Sequence, residues 1–131
     1  MNRSSRQGPV VAMLLATTLS SHAASPVGDP AAGAAAFRMC ASCHQVGPSA
    51  HSVFGPQLNG VIGRRAGTLA DYAYSPAMRK SGIVWNEQTL ARFLRDPGDT
   101  VPGTKMRLWG IGDERKIANL LAYLRQYPPV K

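Results

Sequence analysis

Apolar residues recur at helical spacing in only a few short segments of the chain. The clearest apolar stripe lies near the C-terminal end and consists of Ile117, Leu120, Leu121 and Leu124. Residues at intervals of three and four lie on one face of a helix, so the stripe predicts a buried helix face. Asp113 can cap this helix, which we expect to end at about Gln126, before Pro128.

A first helix is predicted much earlier in the chain. Asp29–Pro30 is typical of a helix start, because aspartate caps the first turn and proline suits the first helical position. We expect the helix to run from Ala31 to about Ala41. One face of it is formed, at intervals of four and three, by Gly33, Phe37 and Cys40.

Two further short helices are predicted in the middle of the chain. Ser75–Pro76 begins one of them and Gly82 ends it. Asn86 can cap the other, which runs to about Arg95 and stops at Asp96–Pro97.

Glycine and proline dominate two long segments, from Gln45 to Tyr72 and from Gly98 to Gly112, which are predicted as loops. No run of alternating apolar and polar residues supports a sheet. The pattern therefore predicts an all-α fold of about four short helices and two long loops. Helices this short are unstable alone in water, and long loops without their own core wrap something else. We expect a large apolar group to fill the middle.

Composition places the chain among small globular proteins. The 131 residues suffice for one domain, 44% are hydrophobic and only 17% are charged. Two cysteines cannot form a disulfide scaffold, and the length excludes a Rossmann unit with a substrate domain or a repeat array. Lys and Arg outnumber Asp and Glu by 15 to 7, a formal net charge of +8.

The first residues are typical of an export signal. Residues 1–23 combine a basic start, an apolar segment from Val10 to Leu19 and small residues at the end. We predict cleavage after Ala23 or Ala24, which leaves one domain over residues 24–131. An uncleaved anchor is the alternative, but the apolar segment is too short for a stable membrane span. The predicted location is the periplasm.

The candidate chemistry lies directly after the first helix. Cys40, Cys43 and His44 form the pattern C-x-x-C-H, the signature of covalent haem attachment. Each thiol adds to one of the two porphyrin vinyl groups, and the adjacent imidazole can then reach the iron as an axial ligand. The sequence thus predicts one covalently bound haem c per chain.

Three other uses of these residues were weighed. A thioredoxin-type redox pair requires a βαβ frame, and no strand is evident. A zinc site made of Cys40, Cys43, His44 and His51 would be strained by the adjacent Cys43 and His44. A plain disulfide is compatible with export but leaves the sparse core unexplained.

The second axial ligand has four candidates, namely Met39, His51, Met78 and Met106. Met39 directly precedes Cys40 and is therefore held on the attachment side of the haem. His51 follows His44 by only seven residues, a loop too short to pass easily around the porphyrin ring to its opposite face. Met78 is on a short helix, where a lone methionine commonly fills core space. Met106 follows a Pro-Gly turn that can orient one side chain, so the residues alone slightly favour Met106 over Met78.

With these motifs in place, the chain from Gly28 to about Tyr127 resembles a small class I monohaem cytochrome c of the mitochondrial or bacterial kind. The shared pieces, in chain order, are Gly33 with Phe37, the 40–44 motif, Gly55-Pro56-Gln57-Leu58-Asn59-Gly60, Gly63-Arg64, Tyr74, Gly82-Ile83-Val84-Trp85, Pro102-Gly103-Thr104-Lys105-Met106 and Leu121-Ala122-Tyr123-Leu124. Their order makes the resemblance specific.

The resemblance implies a role for each matching residue. Cys40 and Cys43 would form the thioethers, His44 and Met106 would be the axial ligands, and the Pro56 carbonyl would accept a hydrogen bond from His44. Arg64, Tyr74 and Trp85 would lie near a haem propionate. The alternative is that Tyr74 and Trp85 are ordinary core aromatics and that Arg64 is a surface charge. Gly33 and Phe37 would pack the first helix against Tyr123 on the last.

The chain departs from the family pattern at several positions. Phe93 stands where a tyrosine usually bonds the axial methionine sulfur, Met78 replaces a common asparagine, and Leu108 replaces a phenylalanine. Gly112–Glu114 stands where the mitochondrial kind has lysines. These departures bring into question the methionine hydrogen bond, a buried water network and part of the basic docking face.

The function implied is one-electron transfer in the periplasm by a monomeric carrier, not an enzyme. Expected partners are acidic redox proteins such as a cytochrome bc complex, an oxidase or a dehydrogenase, steered by the cations Arg38, Lys105 and Arg107 around the exposed haem edge. Nucleic acid is not expected, because no basic helix carries interleaved aromatics. The alternative is a peroxidase or gas sensor whose sixth ligand is labile.

Overall fold

The computed structural model describes residues 26–129 and shows five helices within them. They are α1 (Pro30–Phe37), α2 (Pro76–Lys80), α3 (Glu87–Arg95), α4 (Pro97–Thr100) and α5 (Glu114–Leu124). The only β pairing in this part of the chain is one isolated bridge between Arg65 and Val84. The predicted signal peptide over residues 1–23 and its cleavage site lie outside the described residues.

The four predicted helix starts are confirmed by their capping bonds. Side chains of Asp29, Ser75, Asn86 and Asp113 each accept a hydrogen bond from a backbone N–H in the first turn of the following helix. Each cap satisfies a donor that the helix leaves unpaired, so short polar residues specify these starts locally. The all-α prediction is therefore confirmed at the level of individual caps.

Helix ends differ from the predicted ones by a few residues. Helix α1 ends at Phe37 and not at Ala41, because Met39 and Cys40 donate to carbonyls three residues back and tighten the chain into turns. Helix α5 likewise ends at Leu124, before Gln126, whose N–H also bonds three residues back.

Helix α4 is an element that the sequence pattern missed. It lies at the start of the segment predicted as a loop from Gly98 to Gly112. Its cap is Asp96, which accepts from the Asp99 N–H at 2.9 Å, and Pro97 occupies its first position. The Asp-Pro pair that begins α1 is therefore present here as well, although the sequence pattern predicts it as the end of α3.

Helices α1 and α5 cross at close range and form the main helix pair. A Cβ built on Gly33 would lie 2.0 Å from the Asn119 carbonyl oxygen and 2.7 Å from the Tyr123 Cβ. The rings of Phe37 and Tyr123 pack with centroids 5.3 Å apart. The predicted apolar stripe of α5 is buried, and the exposed fractions of Ile117 and Leu120 are only 2% and 1%. Glycine at position 33 is what allows the two backbones to approach.

Gly33→Ala is expected to lower the free energy of unfolding by about 1–3 kcal/mol, since the added methyl group has no space at the crossing. Urea unfolding of the haem-loaded protein measures the change. Gly112→Ala is the matched control, because a Cβ there meets nothing within 4 Å. Equal stabilities of the two variants would contradict the close-approach role of Gly33.

Between α1 and α2 the chain forms no helix, as the glycine-rich pattern predicted. Side-chain bonds hold this long loop in place. The buried Asn59 amide both accepts from the Gly47 N–H and donates to the Gly47 carbonyl, each at 2.8 Å. Asp71 accepts from the Ser52 N–H at 3.1 Å. These hydrogen bonds hold the loop in one conformation. Among the described residues, no helix is long and apolar enough to cross a membrane.

Candidate haem site

The helices and loops enclose a cavity of about 430 Å³ whose lining is mainly apolar. Every predicted site residue contributes to this lining, namely Cys40, Cys43, His44, Pro56, Arg64, Tyr74, Trp85 and Met106. They come from four separate segments of the chain. The cavity is therefore the one place in the described structure where the candidate chemistry converges.

The two cysteines lie on the turn that follows α1. The N–H groups of Cys43 and His44 both donate to the Cys40 carbonyl, at 3.0 and 2.9 Å, which coils the C-x-x-C-H segment tightly. Both thiols are free, with Cys40 half-buried and Cys43 exposed. Burial raises the pKa of the Cys40 thiol, and the neighbouring Cys43 adds to the effect. The pair thus presents two free thiols at the edge of the cavity.

His44 is held by the loop that follows it. Its Nδ1 lies 2.8 Å from the Pro56 carbonyl oxygen, and because a carbonyl only accepts, Nδ1 carries the proton. Burial lowers the pKa of His44, the hydrogen bond to Pro56 opposes that fall, and the nearby Arg64 charge lowers the pKa further, which favours the neutral imidazole. Nε2 is left unprotonated and can bind a metal.

Gly55 gives the His44 ring its space. A Cβ at position 55 would lie 2.6 Å from the His44 Cε1 atom, closer than real contacts allow. The Gly55 N–H also donates to the Cys43 carbonyl at 2.8 Å, which ties the loop to the attachment turn. This glycine therefore positions the imidazole as well as the neighbouring Pro56 carbonyl.

The three methionine candidates for the second axial ligand all line the cavity, whereas His51 does not. His51 is exposed, with its Nδ1 3.2 Å from the Ser49 carbonyl. Met78 is buried on α2, and Met106 is half-buried in the loop after α4. The Met106 N–H donates to the Thr104 hydroxyl at 3.3 Å, which orders the Pro-Gly turn before it.

Three polar or aromatic residues line another part of the wall. The Arg64 guanidinium donates to the carbonyls of Gln57 and Asn59 at 3.0 and 3.2 Å, so the loop fixes its direction. Tyr74 is buried, which raises the pKa of its hydroxyl, while the Arg64 charge opposes that rise. Trp85 is also buried in the core.

Phe93 packs against Trp85 with ring centroids 5.1 Å apart, and both line the cavity. The position therefore offers no hydroxyl to a methionine sulfur. The wall beside Met106 is completed by Leu108, which is also half-buried. This part of the cavity is more apolar than the family pattern implies.

Sequence analysis missed one residue at the mouth of the cavity. Phe54 lines it although its side chain is 84% exposed. The Tyr72 hydroxyl donates to the Phe54 carbonyl at 3.0 Å and secures this part of the loop. A phenylalanine beside the glycine of the Gly55–Pro56 turn was the available signal, but an isolated aromatic in a loop has no periodicity to mark it.

None of the three alternative uses of the cysteines finds support in the structure, in which Cys40 and Cys43 form no disulfide. No cluster of three or more His, Cys, Asp or Glu able to hold a metal ion occurs among residues 26–129. The βαβ frame of a thioredoxin-type site is also absent from this part of the chain. The residues present do fit haem c, because a large apolar cavity brings two free thiols, a neutral imidazole and a thioether together.

Comparison with known proteins agrees with this geometry. The sequence profile of the Cytochrome c family matches residues 30–128. Cytochrome c2 of Blastochloris viridis is 44% identical over 99 residues, covering 76% of this chain and 78% of that protein. Cytochrome c-550 of Nitrobacter winogradskyi is 46% identical over 100 residues, covering 76% and 92%. The structure of cytochrome cH from Methylobacterium extorquens superposes with a TM-score of 0.71 at 45% identity, covering 76% of this chain and 99% of that one.

A small all-α fold around an apolar cavity that a C-x-x-C-H motif lines is that of a c-type cytochrome. The chain belongs to the cytochrome c family. It is an electron carrier and not an enzyme, and it binds one haem c covalently. The relatives give no support to the alternative of a peroxidase or gas sensor.

Proposed function

We propose that the protein is a monomeric periplasmic carrier that moves single electrons between respiratory or photosynthetic complexes. The observation that carries the proposal is the convergence of Cys40, Cys43, His44 and Met106 on one apolar cavity. The predicted export signal supports the periplasmic location, since it has the basic start and apolar segment that export machinery recognises.

Each of these residues has one task. Cys40 and Cys43 would hold the haem through thioethers, and His44 and Met106 would bind its iron. When bound, the haem supplies the one-electron redox chemistry. With both ligands supplied by the protein, no position on the iron would be open to substrate, and the Met106 thioether would favour the reduced state and raise the potential.

The residues around the ligands tune the site. The hydrogen bond from His44 Nδ1 to the Pro56 carbonyl fixes the ring orientation and increases its electron donation. Arg64, held by two carbonyls, offers positive charge to a haem propionate, and Tyr74 and Trp85 complete that wall. A haem propionate would need such a positive partner, because burial of an unpaired carboxylate in an apolar cavity costs free energy.

Cations at the mouth of the cavity suit an acidic partner. Lys105 and Arg107 are exposed and lie on either side of Met106, and both contribute to the cavity rim. Arg38 is exposed just before the attachment turn. Positive charge at this rim steers a partner with a complementary face, such as a cytochrome bc complex, an oxidase or a dehydrogenase.

Lys105→Glu is expected to slow bimolecular electron exchange with a purified cytochrome bc complex by about tenfold at low salt and to flatten its salt dependence. The midpoint potential should hardly change, because the exposed charge is screened by water. Stopped-flow measurements across a salt series provide the test.

Arg92→Glu is the matched control for charge, since it makes the same change in net charge. Arg92 is exposed and lies on the face of α3 that points away from the buried Leu90, Phe93 and Leu94. Identical salt slopes for the two variants would show that net charge alone acts. No electron exchange between the unaltered protein and the complex would refute this choice of partner.

A further inference from the structure

One feature outside the haem site is unusual for a small globular protein. Trp109 is the most exposed of the large apolar side chains that the structure describes, and its indole is fully open to solvent. It does not line the cavity. Tryptophan is normally among the most buried residues on average, so its exposure here has no explanation in core packing or in haem contact.

The segment around Trp109 alternates between the interior and the solvent. Met106 and Leu108 are half-buried and line the cavity, whereas Lys105, Arg107 and Trp109 are exposed, the two cations at the cavity rim and Trp109 outside the cavity. Burial thus alternates from one residue to the next between Lys105 and Trp109. Two cations and one indole are therefore the exposed side chains of this segment, an outward row defined as Lys105, Arg107 and Trp109 that begins at the cavity rim.

The row is held in place from both ends. At its start, the Lys105 ammonium donates to the Ala73 carbonyl at 2.9 Å. At its end, the Ile111 N–H donates to the Leu94 carbonyl at 2.9 Å. Gly110 has a positive φ of 104°, and a Cβ there would lie 2.2 Å from the Arg95 carbonyl oxygen. Trp109 is thus an exposed side chain on an anchored backbone.

The charge beside Trp109 is positive. Within the described residues, neither Lys105 nor Arg107 forms an ion pair with a carboxylate. Glu114, the first acidic residue of α5, is paired with Arg95 at 2.7 Å. The Asp113 carboxylate accepts hydrogen bonds from the N–H groups of Arg115 and Lys116 and so caps α5. The surface next to the indole therefore complements an acidic and not a basic partner.

We propose that Trp109 is the apolar anchor through which this protein docks onto its redox partner, entering a pocket that carboxylates surround. The proposal rests on the proposed function as an electron carrier. Tryptophan and arginine are the residues most often found at energetic centres of interfaces, and here they occupy the same outward row. An indole has only two side-chain torsions and its backbone is fixed, so little conformational entropy is lost on docking.

The test compares steady-state electron exchange of Trp109→Ala and unaltered haem-loaded protein with a purified cytochrome bc complex. We expect the KM for the cytochrome to rise about tenfold, with kcat, the midpoint potential and the salt slope unchanged. Trp109→Phe should restore the KM to within about threefold, since it keeps an aromatic ring. Val27→Ala is the matched control, because Val27 is another exposed apolar residue and lies outside the row.

A second readout does not depend on turnover. The chain has two tryptophans, Trp109 and the buried Trp85, so its NMR spectrum contains two indole N–H signals that Trp109→Phe assigns. Addition of the complex should shift or broaden the Trp109 signal and leave that of Trp85 nearly unchanged. Vesicles of equal phosphatidylglycerol and phosphatidylcholine are the comparison, and should have no effect.

The outcomes separate the two proposals. A KM for Trp109→Ala within twofold of the unaltered protein, which itself exchanges electrons with the complex, would overturn only the anchor. A Trp109 signal that responds to vesicles but not to the complex would overturn it in favour of a lipid surface. Unaltered protein that exchanges no electrons with the complex would overturn the anchor together with this choice of partner, whereas the electron-carrier function would stand.

Discussion

Cys40→Ser combined with Cys43→Ser is expected to leave a chain that has lost most of its helix. The longest helix has 11 residues and α4 has only four, lengths that are not stable alone in water. Without the attached haem, the cavity of about 430 Å³ would be an apolar space with nothing to fill it. Lost burial on this scale costs several kcal/mol, comparable to the total stability of a small domain.

Circular dichroism of the double variant, purified without haem, measures this loss of helix. Ser42→Ala is the matched control, because it alters the residue between the cysteines and leaves both thiols in place. It should retain full helicity and its haem. Native helicity in the double variant would mean that packing of α1 against α5 suffices to hold the fold.

Met106→Ala is expected to keep the haem attached but to open a position that binds carbon monoxide. Attachment depends on the cysteines and on His44, which lie on one tight turn, whereas Met106 reaches the cavity from a distant loop. The weak ferric absorption band near the red edge of the visible, which reports methionine bound to iron, should disappear. His44→Ala, in contrast, should abolish stable low-spin haem altogether.

Met78→Leu is the matched control for the ligand assignment, because it keeps the volume of a buried side chain and removes its sulfur. We expect its spectrum to match that of the unaltered protein. An unchanged spectrum and no carbon monoxide binding in Met106→Ala, together with loss of the band in Met78→Leu, would transfer the axial role to Met78.

Local features of the fold were readable from the residues themselves. The caps at Asp29, Ser75, Asn86 and Asp113 act within their own first turns, so their signal needs no knowledge of distant residues. The C-x-x-C-H pattern is equally local, because both thiols and the imidazole lie on a single coiled turn. Helix ends were less predictable. Directly after Phe37, backbone N–H groups bond the carbonyl three residues back and not the one four residues back, and no residue type in the sequence signals that change.

The site beyond that turn depended on contacts between distant segments. The residues alone slightly favoured Met106 over Met78, and the structure shows both in the cavity wall. The only sequence signal for Phe54 was its position beside Gly55, because its place at the cavity mouth depends on the Tyr72 hydroxyl, 18 residues away. The resemblance to a known family supplied the expectation for Pro56, whereas the bond from His44 itself is seen only in three dimensions.

By itself, the sequence determined what short-range chemistry can specify, namely the helix starts, the absence of a sheet-forming pattern and the haem attachment motif. The tertiary structure alone decided which side chains face one another across the cavity and which remain outside, as Met106 and Trp109 do within a single loop. The physical reason is that inward and outward positions follow from where the backbone is anchored. Here those anchors are the contacts of Gly110 with Arg95 and of Lys105 with Ala73, which join segments remote in sequence.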